Sequence, residues 1–109
     1  RALVEVRRYQ RLDGAVPLTD WLAGLRDRRV RAKLEIRFRR VSLGIFGDIK
    51  PVGEGVLELR EDIGPSYRVY MGRHGAELVI LLCGGDKRTQ DADIQRAKDY
   101  WLDWKRRSP

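Results

Sequence analysis

An α+β domain is the fold class this sequence predicts, on three observations. Apolar residues recur with a helical period over residues 18–41, the period changes to 2 from Lys50 onward, and the helical period returns from Ile94 to Trp104. The chain has 109 residues of which 42% are apolar, enough for a single core and too few for two, so one domain over 1–109 is expected.

Leu3 to Gln10 mixes apolar, β-branched and aromatic residues ahead of the turn-forming Asp13-Gly14, which predicts an opening strand. After Pro17, Thr19 is the expected cap of a short helix that gathers Leu18, Trp21, Leu22 and Leu25 on one face. Asp27 is the expected cap of a second helix, with Val30, Leu34, Phe38 and Val41 as its apolar stripe and Arg28, Arg29, Arg31, Arg39 and Arg40 mostly elsewhere. Gly44 should close it, and the two helices make an αα-hairpin.

Beyond Lys50, Leu57 and Leu59 face one way and Glu58 and Arg60 the other, as in a half-buried strand. A turn at Ile63-Gly64-Pro65 leads to a second strand, with Tyr67, Val69 and Met71 on one face and Arg68 and Tyr70 on the other. A turn is expected over Gly72–Gly75. Leu78–Cys83 is apolar on both faces and predicts an interior strand, antiparallel like the two before it. Thr89 should cap a last helix with Asp91 and Asp93 at its positive end, Ile94, Ala97, Trp101 and Trp104 as its stripe, and Lys105, Arg106 and Arg107 at its negative end.

Lys and Arg total 23 against 16 Asp and Glu, a formal net charge of +7 that favours polyanionic or acidic partners and leaves RNA, DNA and acidic protein open. Cys83 is the single cysteine and cannot close an intrachain disulfide, so packing in a reducing, cytoplasmic compartment is expected. The longest apolar run, Leu78 to Cys83, is far below the roughly 20 residues a membrane helix needs. With no long apolar segment near Arg1, no signal peptide is expected.

Five segments, in order and spacing, resemble one family: Trp21–Asp27 (WLAGLRD), Gly44–Gly55 (GIFGDIKPVGEG), Glu58–Arg60 (ELR), Tyr67–Tyr70 (YRVY) and Leu82–Lys87 (LCGGDK). The chain resembles RelE/ParE-type toxins of bacterial toxin–antitoxin modules, especially the HigB-like addiction-module killer branch. The resemblance implies a RelE-like fold: an N-terminal strand and αα-hairpin packed on a small, mainly antiparallel sheet, with a C-terminal helix. It also implies a cognate antitoxin, acidic or amphipathic, and ribosome-dependent cleavage of messenger RNA. The strand arginine and the basic residue after the last strand that bind the scissile phosphate in RelE-like ribonucleases match Arg68 and Lys87, or Arg88. Two features depart from the pattern: Val56 and Glu58 stand on a strand that is lysine-rich in the best-known ribonucleases, and their tyrosine at the start of the last helix has only Ile94 near its position. The ParE branch inhibits DNA gyrase on the same scaffold without nuclease activity, and a basic antitoxin-binding module without activity is a third reading.

For metal-independent RNA cleavage, a ribose 2′-hydroxyl attacks the adjacent phosphate and the protein must stabilise the charge that builds on its oxygens. Arg68, with Arg60 on the same sheet face, is the expected clamp, because a guanidinium stays charged and contacts two phosphate oxygens; Lys87 adds a mobile charge. Tyr70 is a candidate for stacking on a base or relaying a proton, and Glu58 for general base if its pKa rises. The competing structural reading makes Arg60, Arg68 and Glu58 a cross-strand charge ladder. Lys50, Arg88, Arg28, Arg29, Arg39 and Arg40 are candidate RNA contacts, although an acidic antitoxin could use the same helix cations. His74 is expected in an exposed turn, and Cys83, Trp21, Trp101 and Trp104 in the core. Neither a zinc-type ligand spacing nor a Walker-type loop occurs, so no metal or cofactor is implied.

Overall fold

A computed structural model of the chain describes residues 3–108. The elements are β1 (Glu5–Arg8), α1 (Pro17–Ala23), α2 (Arg28–Ser42), β2 (Ile49–Gly53), β3 (Val56–Glu61), β4 (Tyr67–His74), β5 (Leu78–Asp86) and α3 (Gln90–Arg107), with a 3₁₀ turn over Lys87–Thr89 leading into α3. The strands form one mixed five-stranded sheet in the order β1-β5-β4-β3-β2, in which β1 runs parallel to β5 and the other pairs are antiparallel. The α+β class is as expected. The sheet has one strand more than the sequence reading counted.

Two cores lie on the two faces of this sheet. On one face Leu18 and Leu22 of α1 and Val30, Leu34, Phe38 and Val41 of α2 meet Leu59, Val69, Met71, Val79 and Leu81. On the other, Ala97 and Trp101 of α3 meet Tyr9, Val56, Tyr70, Ile80, Leu82 and Cys83. The apolar character of both faces of β5 follows directly: it lies between β1 and β4, and helices cover it above and below.

The α2 stripe is buried as the periodicity required, and Asp27 caps the helix by accepting a hydrogen bond from the Arg29 amide at 2.9 Å. The chain leaves α2 through Gly44, whose φ of +81° is one that L side chains rarely adopt. At α1 the expected cap is corrected. Val16 holds the cap position and Pro17 opens the helix, because its missing N–H is one of the donors a first turn leaves unpaired. Thr19 lies inside the helix, and its Oγ1 accepts from Arg8 Nη1 at 3.0 Å. Leu25 falls beyond the end of α1 yet still packs on the core.

β2 is the unanticipated strand. Pro51 and Gly53 break its alternation, so periodicity missed it, but Ile49, Lys50 and Pro51 pair with Leu59, Glu58 and Leu57 across a tight Glu54-Gly55 turn. Both turn residues have positive φ, 56° and 81°, as a twist-matched two-residue hairpin demands. The expected turn over Gly72–Gly75 is shifted: β4 continues through His74, and the turn begins at Gly75. Gly72 is a strand residue, and a Cβ on it would collide with the Trp101 ring. Gly84 is the counterpart on the opposite face, pressed by Trp21. Each tryptophan thus reaches the sheet only where a side chain is missing. His74 is exposed, as expected, although it ends a strand and sets its ring edge-on to Trp104 at 5.4 Å.

Candidate functional site

Strand register arranges the α3 side of the sheet in rows. Lys50, Glu58, Tyr70 and Cys83 form one row across β2, β3, β4 and β5, and Arg60, Arg68 and Gly85 form the next. The Gly85 row has room for a side chain from above, and the Asp93 carboxylate of α3 fills it, so that a Cβ at Gly85 would collide with Asp93 Oδ2. Polar groups therefore gather where the N-terminal turns of α3 cross the strands, whereas Val56, Gly72 and Ile80 make the apolar row farther along.

Glu58 is fully buried at the centre of this arrangement. Its Oε2 accepts hydrogen bonds from Tyr70 Oη at 3.0 Å and Gln90 Nε2 at 2.8 Å, and lies 3.6 Å from Arg68 Nε. Glu58 Oε1 and Arg68 Nε are buried without a hydrogen-bond partner. Arg68 is 8% exposed, and its Nη1 donates to the Ser66 carbonyl at 3.3 Å. A carboxylate and a guanidinium withdrawn from water in this way are held by each other and by the neutral donors around them.

Several expectations change here. Glu58 faces the underside of α3 and presents no base to solvent. Tyr70 is fully buried and is not placed to stack on a nucleic-acid base. Burial first, and the neighbouring Glu58 charge and hydrogen bond next, push its hydroxyl far above the ordinary phenol range and hold it as a donor. Arg60 is the register partner of Arg68, but its guanidinium is turned to Asp48, with Nη2 and Nε 3.0 Å and 3.3 Å from Oδ1. Glu58 and Arg68 do form the cross-strand ion pair of the structural reading; Arg60 pairs outside it.

Lys50, Lys87 and Arg88 are exposed around this cluster. Arg88 closes on Asp86, whose carboxylate also caps the 3₁₀ turn by accepting from the Arg88 amide at 2.8 Å. Asp86, rather than Thr89, is thus the side-chain cap at this end of α3. The Thr89 hydroxyl donates forward to Asp93 Oδ2. Asp93 stands in the first turn of α3 as expected, and it is buried there, with Arg96 paired to its other oxygen at 2.9 Å.

Arg28, Arg29, Arg39 and Arg40 are exposed on α2, which covers the opposite face of the sheet from Arg68. They form a separate basic surface. Sequence reasoning missed Gln90, Asp48 and Arg37. Gln90 and Asp48 carry no local pattern that announces a partner 32 or 12 residues away. Arg37 sits among the arginines of a basic helix, yet it turns inward, donating to the carbonyls of Phe46 and Arg60 and pairing with Glu61 at 3.0 Å. Its position beside the buried Phe38 and Leu34 was the available signal.

Cys83 lies beneath α3 with Sγ 3.7 Å from the Asp93 carbonyl, and burial pushes its thiol from an ordinary 9.0 up to about 12. Below pH 9 this thiol is protonated in both the folded and unfolded chain, and its contribution to stability is complete. From pH 9 towards 12 the unfolded chain releases a proton that the folded chain keeps, so stability falls as pH rises, and Tyr70 acts in the same direction. Melting temperatures measured between pH 8 and 11 are expected to decline, and Cys83→Ala to flatten the first part of that decline. An unchanged slope in the variant would assign the alkaline loss to other groups.

Among the described residues no group of three or more His, Cys, Asp or Glu side chains is placed to hold a metal ion, and no helix is long and apolar enough to cross a membrane. No family model matches the chain. It is similar to an uncharacterized protein of Haemophilus influenzae, 54% identical over 78 residues that cover 72% of this chain and 79% of that protein. Identity at that level over most of both chains means that this protein and the Haemophilus influenzae protein belong to one family.

Proposed function

We propose that this chain is the toxin of a type II toxin–antitoxin module of the RelE/ParE kind, HigB-like in its motifs, and that it arrests growth by cutting translated messenger RNA on the ribosome. The observation that carries the reading is the placement of basic residues from consecutive segments on the α3 side of one sheet. Lys50 on β2, Arg60 on β3 and Arg68 on β4 fall in two adjacent rows, and the Lys87-Arg88 pair follows the end of β5. Lys50 and Lys87 have no carboxylate within ion-pair distance among the described residues, so their charge is available to a phosphate backbone.

In this reading the outer edge of Arg68 and the mobile Lys87 ammonium stabilise the negative charge that builds on the phosphate as the 2′-hydroxyl attacks. Glu58 holds Arg68 by charge, its Oε2 lying 3.6 Å from Nε, and is itself fixed by hydrogen bonds from Tyr70 and Gln90. A cognate acidic or amphipathic antitoxin is the expected partner, and messenger RNA and the ribosome place the activity in the cytoplasm. Primer extension on transcripts after induction is expected to reveal new 5′ ends within translated codons. The burial of Glu58 and Tyr70 favours one second reading, inhibition of DNA gyrase without nuclease chemistry, because no base faces solvent from this row. Loss of supercoiling without new transcript ends would select it. Unimpaired growth would instead select a binding module without activity.

A further inference from the structure

Away from the Arg68 row, a cavity of about 470 Å³ opens between the loop that joins β1 to α1 and the last turns of α3. It is lined by Tyr9, Arg11, Leu12, Asp13, Tyr100 and Asp103. Tyr100 stands ~15 Å along α3 from Gln90 at 1.5 Å per residue, so this is a separate place on the molecule. Its volume is that of a small-molecule site. The loop is fastened in position by hydrogen bonds from the Arg11 amide to the Ala15 carbonyl at 2.8 Å, from the Gln10 amide side chain to the Gly14 carbonyl at 3.0 Å, and from Arg107 to the Gln10 carbonyl at 2.6 Å. Leu12 is left 82% exposed at the cavity's rim.

Tyr100 is half-buried and stacks on Tyr9, with ring centroids 4.7 Å apart and planes 24° from parallel, and the rest of it lines the cavity. Aromatic surface is therefore available there. Asp103 Oδ2 accepts from Tyr9 Oη at 2.6 Å and from Arg107 Nε at 3.0 Å, whereas Oδ1 accepts from no group among the described residues, on a side chain 35% exposed. The Tyr9 bond first, and the Arg107 bond next, hold this carboxyl below the usual carboxylate range, so Oδ1 is an acceptor at neutral pH. Charge within the lining is already balanced: Arg11 lies 3.2 Å from Asp13, and Arg107 lies 2.8 Å from Asp103.

We infer that this cavity binds the guanine base of a nucleotide, its ring between Tyr100 and Leu12, its N–H edge on Asp103 Oδ1 and its phosphate at Arg11. An organic cation would meet acids that each face a guanidinium, and an aliphatic ligand would bring Oδ1 no donor. A flat heterocycle satisfies both the ring and the acceptor, since stacking needs only a π-face and a carboxylate oxygen takes strong bonds from N–H groups. Guanine is the base that presents two neighbouring N–H donors, N1–H and the 2-amino group, to one acceptor. Its phosphate suits a chain of net charge +7. A free nucleotide and a guanosine within a strand offer the same base, and only the strand source rests on the RNA-cleavage reading.

The isotope-labelled full chain is titrated with guanosine and uridine 5′-monophosphates and with ribose 5-phosphate, and followed by amide chemical shifts. Guanosine monophosphate is expected to saturate at least tenfold more tightly than uridine monophosphate, with shifts centred on Leu12, Asp13, Tyr100 and Asp103. In Asp103→Asn the amide oxygen can still accept from Tyr9 and Arg107 while an N–H₂ replaces the open acceptor. That variant is expected to bind guanosine monophosphate at least tenfold more weakly and to prefer xanthosine monophosphate, whose 2-carbonyl accepts where guanine donates. A gain of xanthosine binding is a result that a loosened fold would not produce. Leu12→Ser, at an exposed position, is expected to weaken guanosine binding at least threefold with an unchanged circular-dichroism spectrum. An oligouridylate with one central guanosine that binds more tightly than the mononucleotide supports the site with a strand as its source, and one that binds no more tightly supports it with a free nucleotide. Transcript ends after induction test the cleavage reading separately. The proposal is overturned if guanosine monophosphate does not saturate, if uridine monophosphate or ribose 5-phosphate matches it, or if Asp103→Asn and Leu12→Ser both bind it as the parent chain does.

Discussion

Arg68→Ala is expected to reduce the proposed RNA cleavage by about a hundredfold or more, the rate equivalent of the ~3 to 4 kcal/mol that one preorganised charge supplies to a transition state. The same substitution is expected to lower folding stability by several kcal/mol, on the order of 3, because it leaves the fully buried Glu58 carboxylate without its cation. Loss of activity alone would therefore not separate chemistry from folding. The double variant Glu58→Gln/Arg68→Ala removes the stranded charge while a neutral amide oxygen still accepts from Tyr70. Its stability, measured by urea unfolding, is expected to recover most of the loss. Its cleavage rate should remain as low as that of Arg68→Ala. Recovery of cleavage in the double variant would show that Arg68 serves only to neutralise Glu58, and the proposed phosphate contact would fall with it.

Trp101→Ala should cost about 3 to 5 kcal/mol, the range for deleting a large buried aromatic. Trp101 is 4% exposed, lies against Gly72, stacks on Trp104 at 5.2 Å, and carries Lys105 Nζ 5.5 Å from its ring. It is the principal anchor of α3, and α3 also delivers Gln90 to Glu58 and Asp93 to Gly85. Loosening α3 should therefore expose the polar row as well as destabilise the fold. The space left over Gly72 offers a direct check. Gly72→Leu alone should destabilise the protein by collision with the indole, yet in the Trp101→Ala background it should restore part of the loss. Additive costs would mean that Gly72 and Trp101 do not share one volume.

These two variants fall on opposite sides of what could be read from the chain. The α2 helix, its Asp27 cap and its stripe of Val30, Leu34, Phe38 and Val41 were legible because each depends on residues within a few positions of one another. The same holds for β3, for the apolar β5 and for the α3 stripe through Ala97 and Trp101. β2 was hidden by Pro51 and Gly53, whose effect on local alternation is the same in an edge strand as in a loop. Thr19 and Thr89 have the chemistry of caps, and each spends its hydroxyl elsewhere because Arg8 and Asp93 arrive from distant parts of the chain or from within the helix.

At the candidate site, strand alternation correctly placed Glu58, Arg60, Arg68 and Tyr70 on one face of the sheet, since a period of 2 is a property of the local backbone. Whether that face meets water depends on which helix covers it, and alternation carries no information about that. α3 closes over Glu58 and Tyr70, and Asp48 draws Arg60 away, through contacts that span 32 and 12 residues. Local order therefore follows from neighbouring residues, because hydrogen bonding and side-chain direction repeat over a few positions. Burial, ion pairing and the accessibility of each charge follow from the packing of α3 and α2 on opposite faces of the sheet, where desolvation and Coulomb energy depend on distances through space.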